Sequence, residues 1–150
     1  MNIRTATLED LPQIIQMIVN DALGKTREEF GNPLPDHYLK AFNLIHDDPN
    51  QYLLVCEDDQ NKIIATLQLT YIQYLTYKGG VRAQIEAVRV HEDARGKGIG
   101  EYIMKYAIDH ARSKGAHLVQ LTTDKRRTRA KTFYERLGFN ASHEGMKLHF

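Results

Sequence analysis

The amino-acid sequence predicts a single α/β domain of the mixed α+β kind, with a mixed sheet of six to seven strands and helices on its faces. Three observations support this prediction. The chain has 150 residues, the usual size of one domain. Strand-like segments joined by short turns come first, and strand-like and helix-like segments alternate later. Hairpins favour antiparallel pairing and strand–helix–strand units favour parallel pairing, so a mixed sheet follows.

The composition is that of an ordinary globular protein, with 42% hydrophobic and 26% charged residues. The net charge is +1, which argues against nucleic acid as the main partner. We expect no signal peptide, no membrane span and a cytoplasmic location. The single cysteine, Cys56, allows no internal disulfide, and its apolar neighbours predict a buried, inert thiol. The seven histidines lack metal-ligand spacing, so we expect no metal.

The N-terminal half predicts strands and helices from its periodicity. Residues 2–6 alternate as a short strand, and apolar residues then recur at helical spacing until Gly24. A second helix begins at Pro35 or Asp36 and ends before Pro49, because the residue preceding a proline disfavours helix. Strands are expected at 51–57, at 62–77 with a bend or bulge, and at 81–90. The first helical stripe consists of Leu11, Ile14, Ile15, Ile18 and Ala22.

The C-terminal half alternates helix and strand. A helix is expected from Ile99 to Lys114, where Gly115 is a suitable C′ residue. A strand over 117–123 and a helix opening at Arg127 or Thr128 follow. Two short final strands are expected over 139–142 and 146–150, separated by a turn.

A glycine-rich loop, Arg95-Gly96-Lys97-Gly98-Ile99-Gly100, joins the strand over 81–90 to the next helix. Glycine lets a backbone approach a ligand closely, and the free N–H groups of a first helical turn favour an anion. The two basic side chains add positive charge. The loop therefore predicts a phosphate site, most simply for a diphosphate.

Three motifs compete for this loop. A P-loop needs Gly-x-x-x-x-Gly-Lys-Ser/Thr, which is absent, and a dinucleotide fingerprint belongs after a first strand. The third pattern, Arg-x-x-Gly-x-Gly, is matched by Arg95, Gly98 and Gly100. Together with the later segment Phe-Tyr-Glu-Arg-Leu-Gly-Phe over 133–139, it resembles the GCN5-related N-acetyltransferase (GNAT) family. A plain glycine turn before a surface helix is the simpler alternative for the loop alone.

The resemblance implies a mostly antiparallel sheet with a splayed parallel pair, and acetyl-coenzyme A as acyl donor. It implies that the backbone of the strand ending at Val90 pairs with the pantetheine arm. It also implies that the glycine loop binds the diphosphate. The implied cofactor-binding residues are Val88, Arg89, Val90, Arg95, Gly96, Lys97, Gly98, Ile99, Gly100, Arg127, Ala130 and Phe133.

The implied reaction is acyl transfer to an amine without a covalent enzyme intermediate. Glu86 occupies the position of the base in the resembled family, and an outward-facing surface glutamate is the alternative. Tyr134 matches the family's general acid, and a core tyrosine with a satisfied hydroxyl is the alternative. Arg127 replaces an asparagine of many relatives. It is expected either to reach the coenzyme A phosphates or to belong to a solvated basic face.

The resemblance is specific over residues 85–139 and weak over the N-terminal half, so the acceptor amine stays open. A small-molecule amine is expected, with amino acids, polyamines and aminoglycosides among the options, alongside a protein terminus. The alternative function is a non-catalytic acyl-coenzyme A sensor or partner-binding module on the same fold. A nucleotide-binding protein is a third hypothesis. Homodimers are common in the resembled family, although the sequence shows no interface.

Overall fold

The computed structural model describes residues 1–21 and 24–150. Its sheet has five strands in the order β1-β2-β3-β4-β5. Neighbouring strands are antiparallel except β4 and β5, which are parallel. The predicted mixed, mostly antiparallel sheet is confirmed, but with five strands instead of six to seven. The strands are β1 (Asn2–Thr5), β2 (Gln51–Glu57), β3 (Ile63–Gln73), β4 (Val81–Val90) and β5 (Ala116–Leu121).

The long helices occur where apolar periodicity predicts them. Among the described residues, no helix has both the length and the apolar character that crossing a membrane requires. Ala22, part of the predicted first helical stripe, lies outside the described residues. The helices are α1 (Leu11–Val19), α2 (Asp36–Asp47), a four-residue turn α3 (Thr76–Gly79), α4 (Ile99–Ser113) and α5 (Thr128–Arg136), and the 3-10 turns are Leu8–Asp10, Gly24–Thr26 and Glu92–Ala94.

Side chains of the sheet contribute to two cores, one on each face. On one face, Leu54 and Cys56 of β2 belong to the cluster that includes apolar residues of α4 and α5. On the other face, Leu53 and Val55 belong to the cluster that includes α1 and α2. This alternation along β2 is the two-residue period of a strand with helices on both faces. The thiol of Cys56 is fully buried, and burial raises its pKa, as expected for an inert cysteine.

Two predicted strands do not form. Residues 139–142 and 146–150 are outside the sheet, and all residues from 140 to the end are exposed. Both lack a partner strand here, and a strand is stable only when its backbone groups are paired.

The predicted irregularity of β3 is present at Ile64, in the pairing with β2. A second irregularity lies in β4, opposite the segment of β3 from Thr66 to Gln68. The β2–β3 register shifts so that Ile64 is skipped. In the β3–β4 pair, Thr66 faces Arg89 and Gln68 faces Glu86, so β4 has one extra residue. The extra residue forms a β-bulge, and within it Ala87 has a left-handed φ of 53°.

Candidate active site

The site is organised by a gap between β4 and β5. The two strands pair from Val81 and Ala116 as far as Ile85 and Leu121. β5 ends there, whereas β4 continues to Val90 while still paired to β3. The backbone of β4 beyond Ile85 therefore has a free edge on the β5 side. This is the splayed parallel pair that the resemblance implies.

The bulge at Ala87 decides which side chains face each side of the sheet. Ile85 and Val88 both contribute to the core beside α4, although they are three residues apart. A regular strand would put them on opposite faces. The extra residue in the bulge shifts the alternation of side chains by one position, so Ile85 and Val88 lie on the same face. It also leaves Glu86 and Arg89 off the face that carries Ile85 and Val88.

The glycine loop leads from the free edge of β4 into α4. Gly96 and Gly98 have left-handed φ angles of 75° and 78°, and Gly98 is the N-cap of α4. A Cβ added to either glycine would meet no atom within 4 Å, so the space beside both is open. Arg95, which precedes Gly96, and Lys97, between the two glycines, are exposed. The Nε of Arg95 donates a hydrogen bond to the Val90 carbonyl at 3.2 Å, which turns this cation back toward the edge of β4.

Helix α5 packs against the loop from the other side. A Cβ added to Gly100 would lie 3.5 Å from Phe133 Cζ and 3.5 Å from Val90 Cγ2. Phe133, Val90 and the first turn of α4 therefore meet at one point. Ile99 is buried, and Ala130 is half-buried one turn before Phe133. These contacts hold the start of α4 between β4 and α5, so Phe133 supports the loop from the apolar side.

Glu86 lies exposed on β4, next to the gap. Its Oε1 accepts a hydrogen bond from Gln84 Nε2 at 2.8 Å. Gln84 in turn accepts one from Gln120 Nε2 of β5 at 2.7 Å. The carboxylate is thus oriented by a chain of amides that crosses from β5 to β4. It remains open to solvent, as expected both for a base that meets an incoming amine and for an outward-facing surface glutamate.

Tyr134 of α5 is half-buried and packs on the core beside α4. Its hydroxyl makes no hydrogen bond to another group within the described residues. Burial raises the pKa of Tyr134, the positive charges of Arg127 and Arg89 oppose that rise, and the charge of Glu86 adds to it. The phenol is therefore protonated at neutral pH and can donate a proton.

An ionic triad centred on Asp21 joins three elements near Tyr134. The guanidinium of Arg127 donates a hydrogen bond from Nη2 to Asp21 Oδ2. Arg89 Nη2 lies 3.6 Å from the same oxygen, and Arg89 Nη1 donates to the Val88 carbonyl at 2.8 Å. The Arg89 side chain is only 10% exposed, and burial lowers its pKa against the opposing charge of Asp21. The triad ties the end of α1 to β4 and to the N-terminus of α5.

A cavity of about 380 Å³ opens beside this triad and the edge of β4. Three of its lining side chains are basic and one is acidic, so it favours a ligand with negative charge. The lining residues are Asn20, Asp21, Lys25, Val88, Arg89, Val90 and Arg95. Arg89 Nε is buried and has no hydrogen-bond partner within the described residues.

The structure thus brings most of the predicted site residues around one gap. Glu86, the β4 edge and the glycine loop are continuous in the chain, and α5 contributes Tyr134 and Phe133. The guanidinium of Arg127 is paired with Asp21, and its side chain is 29% exposed. The sequence did not indicate that Asp21, Gln84 and Ala87 belong to the site. No local pattern marks them, since Asp21 meets Arg127 across 106 positions.

Comparison with known proteins shows which family this sequence matches. The sequence model of the acetyltransferase (GNAT) family matches residues 16–139. An L-methionine sulfoximine/L-methionine sulfone acetyltransferase of Pseudomonas aeruginosa is 28% identical over 145 residues, which cover 94% of this chain and 81% of that protein. An aminoalkylphosphonate N-acetyltransferase of Salmonella typhimurium is 31% identical over 104 residues, covering 69% of this chain and 64% of that one.

A solved structure is similar along almost the whole chain. It is a crystal structure described as a transcriptional regulator from Bacillus halodurans C-125, with 50% sequence identity and a TM-score of 0.95. The alignment covers 99% of this chain and 99% of that one.

Proposed function

This chain belongs to the acetyltransferase (GNAT) family, and on that premise we propose that it transfers the acetyl group of acetyl-coenzyme A to a primary amine of a small molecule. The observation that carries the proposal is the free edge of β4 beyond Ile85, continuous with the glycine loop. Relatives described as N-acetyltransferases support the reaction class. The cytoplasmic location expected from the sequence belongs to the same proposal, and cell fractionation tests it.

The donor fits the gap by its chemistry. The pantetheine arm contains amide groups, and β4 has no partner strand beside Val88 and Val90, where β5 has ended. The carbonyls of Val88 and Val90 accept hydrogen bonds from the side chains of Arg89 and Arg95, which a pantetheine amide would replace. The diphosphate suits the first turn of α4, where Gly96 and Gly98 leave open space and backbone N–H groups are free. Arg95 supplies positive charge beside both. The family's use of acetyl-coenzyme A supports this donor over other phosphorylated ligands.

The amine must lose a proton before it can attack, because an alkylamine has a pKa of about 10. In our proposal, Glu86 takes that proton, directly or through water, and the amide chain from Gln84 and Gln120 holds the carboxylate in place. The amine nitrogen then attacks the thioester carbonyl carbon. A C–N bond forms, the C–S bond breaks with its electron pair leaving on sulfur, and the nitrogen releases its second proton to water as the neutral amide forms.

The leaving thiolate takes a proton from Tyr134. The hydroxyl is protonated, since burial raises its pKa, and within the described residues no hydrogen bond competes for its proton. As the proton leaves, negative charge develops on the phenol oxygen. Arg127 and Arg89 lower the cost of that charge through space. The reaction needs no covalent enzyme intermediate, which is consistent with a buried Cys56.

The acceptor is proposed to be a small amine that also carries an acidic or strongly polar group. The activities for which the Pseudomonas and Salmonella relatives are named, on methionine sulfoximine or sulfone and on aminoalkylphosphonates, support this class. The basic side chains of Lys25, Arg89 and Arg95 at the cavity are compatible with an anionic substrate. A screen of aminoalkylphosphonates, methionine sulfone, amino acids and polyamines with acetyl-coenzyme A tests it.

A second candidate function is a non-catalytic acyl-coenzyme A sensor. It is favoured by one observation, the description of the 50% identical Bacillus halodurans protein as a transcriptional regulator. Both functions predict stabilisation by acetyl-coenzyme A, by about 2.7 kcal/mol at a hundred times its Kd. A thermal-shift comparison with ATP and NAD excludes the nucleotide-binding hypothesis if only the coenzyme A ligands raise the Tm.

Two conservative substitutions separate enzyme from sensor. Glu86→Gln and Tyr134→Phe should each lower kcat by about 10²- to 10⁴-fold and leave the Kd of acetyl-coenzyme A unchanged. Matched controls are Glu9→Gln and Tyr102→Phe, both at exposed positions outside the gap, which should keep full activity. Turnover that survives both site substitutions would refute the assignment of Glu86 and Tyr134. Cofactor binding with no turnover on any amine would favour the sensor.

A further inference from the structure

The sheet face that carries Glu86 also carries a row of glutamines. In the register of the sheet, Gln68 of β3 lies directly opposite Glu86 of β4. Gln51 of β2 lies on the same face, because it is two residues from Leu53, which is opposite Gln68. Cross-strand neighbours have Cβ atoms about 4.5–5.5 Å apart, so the side chains of Gln68 and Glu86 can contact one shared ligand group.

A hydrogen-bonded chain that ends on a carboxylate orients the amide of Gln68. Gln68 Nε2 donates to Gln51 Oε1 at 2.7 Å, and Gln51 Nε2 donates to Asp48 Oδ2 at 2.9 Å. Asp48 is the C-cap of α2, and the hydrogen bond from Gln51 lowers its pKa, so this carboxyl group is ionised at neutral pH. Each donated bond makes the carbonyl oxygen of the same amide a stronger acceptor. The chain therefore both orients Gln68 and strengthens its Oε1 as an acceptor.

Gln68 and Glu86 each have an acceptor oxygen to which no donor within the described residues is hydrogen-bonded. In Gln68 it is Oε1, since the bond to Gln51 uses Nε2. In Glu86 it is Oε2, since the bond from Gln84 uses Oε1. Gln68 is half-buried and Glu86 is exposed, so a ligand can reach both side chains. Two neighbouring acceptor oxygens suit a protonated amine, which carries three N–H donors and no acceptor.

We propose that Gln68 is a specificity-determining residue that binds the amine of the acetyl acceptor together with Glu86. This inference rests on the acetyl transfer proposed above. Of the three protons of an alkylammonium group, Glu86 takes one, which frees the lone pair that attacks the thioester. A second N–H donates to Gln68 Oε1 and remains as the N–H of the amide product, and the third proton leaves to water after the C–N bond has formed. Gln68 thereby fixes the rotation of the nitrogen, so that its lone pair points in one direction.

This use of the three protons favours primary amines over secondary amines. After Glu86 has taken one proton, a secondary amine has only one N–H left, and Gln68 Oε1 holds it. That proton must leave before the neutral amide can form, so the hydrogen bond to Gln68 has to break during the reaction. A primary amine keeps this bond to the end. The amide of Gln68 therefore contributes a preference for primary amines that steric fit alone does not provide.

The first test replaces Gln68 with methionine, which has a similar length but lacks the amide oxygen. The acceptors are the most active primary amine of the screen above, tried first as aminomethylphosphonate, and its N-methyl derivative. Gln68→Met should lower kcat/KM for the primary amine by about 10- to 100-fold, the usual loss for a hydrogen bond to a charged group, and leave the Kd of acetyl-coenzyme A unchanged. The preference for the primary over the N-methyl amine should fall by about fivefold or more. The matched control Gln60→Met, exposed in the turn between β2 and β3, should keep the wild-type kcat/KM and preference.

A second variant separates amine binding from a merely structural role. Gln68→Glu keeps an acceptor oxygen and places a second carboxylate beside Glu86. Two neighbouring carboxylates resist ionising together, so the acid limb of the pH profile of kcat/KM should move to higher pH. An unmoved acid limb, or a primary-amine preference that Gln68→Met leaves intact, would overturn this inference while wild-type turnover still supports acetyl transfer. A wild type that acetylates no amine of the screen would refute the proposed function and this inference together.

Discussion

Replacing Asp21 with asparagine tests whether the ionic triad holds α1, β4 and α5 together. Within the described residues, Asp21 is the carboxylate that both Arg127 and Arg89 contact. Asparagine has nearly the same shape and still offers an oxygen to the Arg127 guanidinium. Asp21→Asn therefore removes the negative charge with little change in packing. It leaves Arg89, a 10% exposed cation, without its counterion.

The exposure of the three side chains sets the expected magnitude. Removing one partner of a fully buried ion pair costs about 3–5 kcal/mol, whereas an exposed pair contributes about 0.2–1 kcal/mol. Asp21 is 16% exposed and Arg127 is 29% exposed, so the triad lies between these limits. We expect Asp21→Asn to lower the free energy of unfolding by about 2 kcal/mol. For a chain of this size, the corresponding fall in Tm is about 4–8 °C.

Urea unfolding of wild type and variant at neutral pH measures this difference. The matched control is Asp109→Asn, which removes the partner of Arg112 in a pair whose side chains are 72% and 74% exposed. It should change the free energy of unfolding by less than about 0.5 kcal/mol. If Asp21→Asn is as mild as the control, the triad is not a structural tie, and the burial argument is wrong.

Three further predictions follow from Tyr134, Asp10 and Gly98. Because burial raises the pKa of Tyr134, the alkaline decline of kcat should lie above pH about 10 and should be missing from the pH–rate profile of Tyr134→Phe. Arg4 holds the pKa of Asp10 below its ordinary value, so this carboxylate stabilises the fold above pH about 3.9, and the stabilisation is lost as the pH falls through the lower folded-state pKa. Asp10→Asn should therefore lower the free energy of unfolding by about 2 kcal/mol at pH 7, and in acid the free energies of variant and wild type should become equal. Urea titrations at both pH values measure this difference. An equal difference at both pH values would contradict the linkage. Gly98→Ala should lower the free energy of unfolding by about 1–2 kcal/mol, because φ is 78° at this residue. Gly145 has open space beside it and no left-handed φ, so Gly145→Ala should leave the free energy of unfolding unchanged in the same assay.

Local sequence predicted those parts of the site that are continuous along the chain. The bounds of β2 and β4 match the alternating apolar segments, and the glycine loop follows β4 as expected. Glycines at left-handed φ and a helix start are local features, so periodicity and residue type suffice to predict them. The match of residues 16–139 to the family supports the motif-based prediction at the same place.

Pairing over long sequence separations could not be predicted in this way. Nothing in the residues around Asp21 indicates an arginine partner 106 positions later. Ala87 has an ordinary residue type and a left-handed φ, which is imposed by the register of β4 against β3. The two final strands failed for a related reason. Alternation predicts that a segment suits a strand, but a sheet forms only where a second edge is available.

The two irregularities of β4 together account for the site's geometry. Without the bulge at Ala87, Val88 would turn from the α4 core to the opposite face, and Arg89 would turn toward that core, away from Asp21. Without the end of β5 at Leu121, hydrogen bonds of the sheet would occupy the backbone edge of β4 beside Val88. The bulge therefore determines which side chains face the gap, and the end of β5 leaves the β4 backbone beside the gap without a partner strand. Since both depend on strand register, substitutions that shift the β3–β4 pairing should disturb Glu86, Arg89 and the edge together.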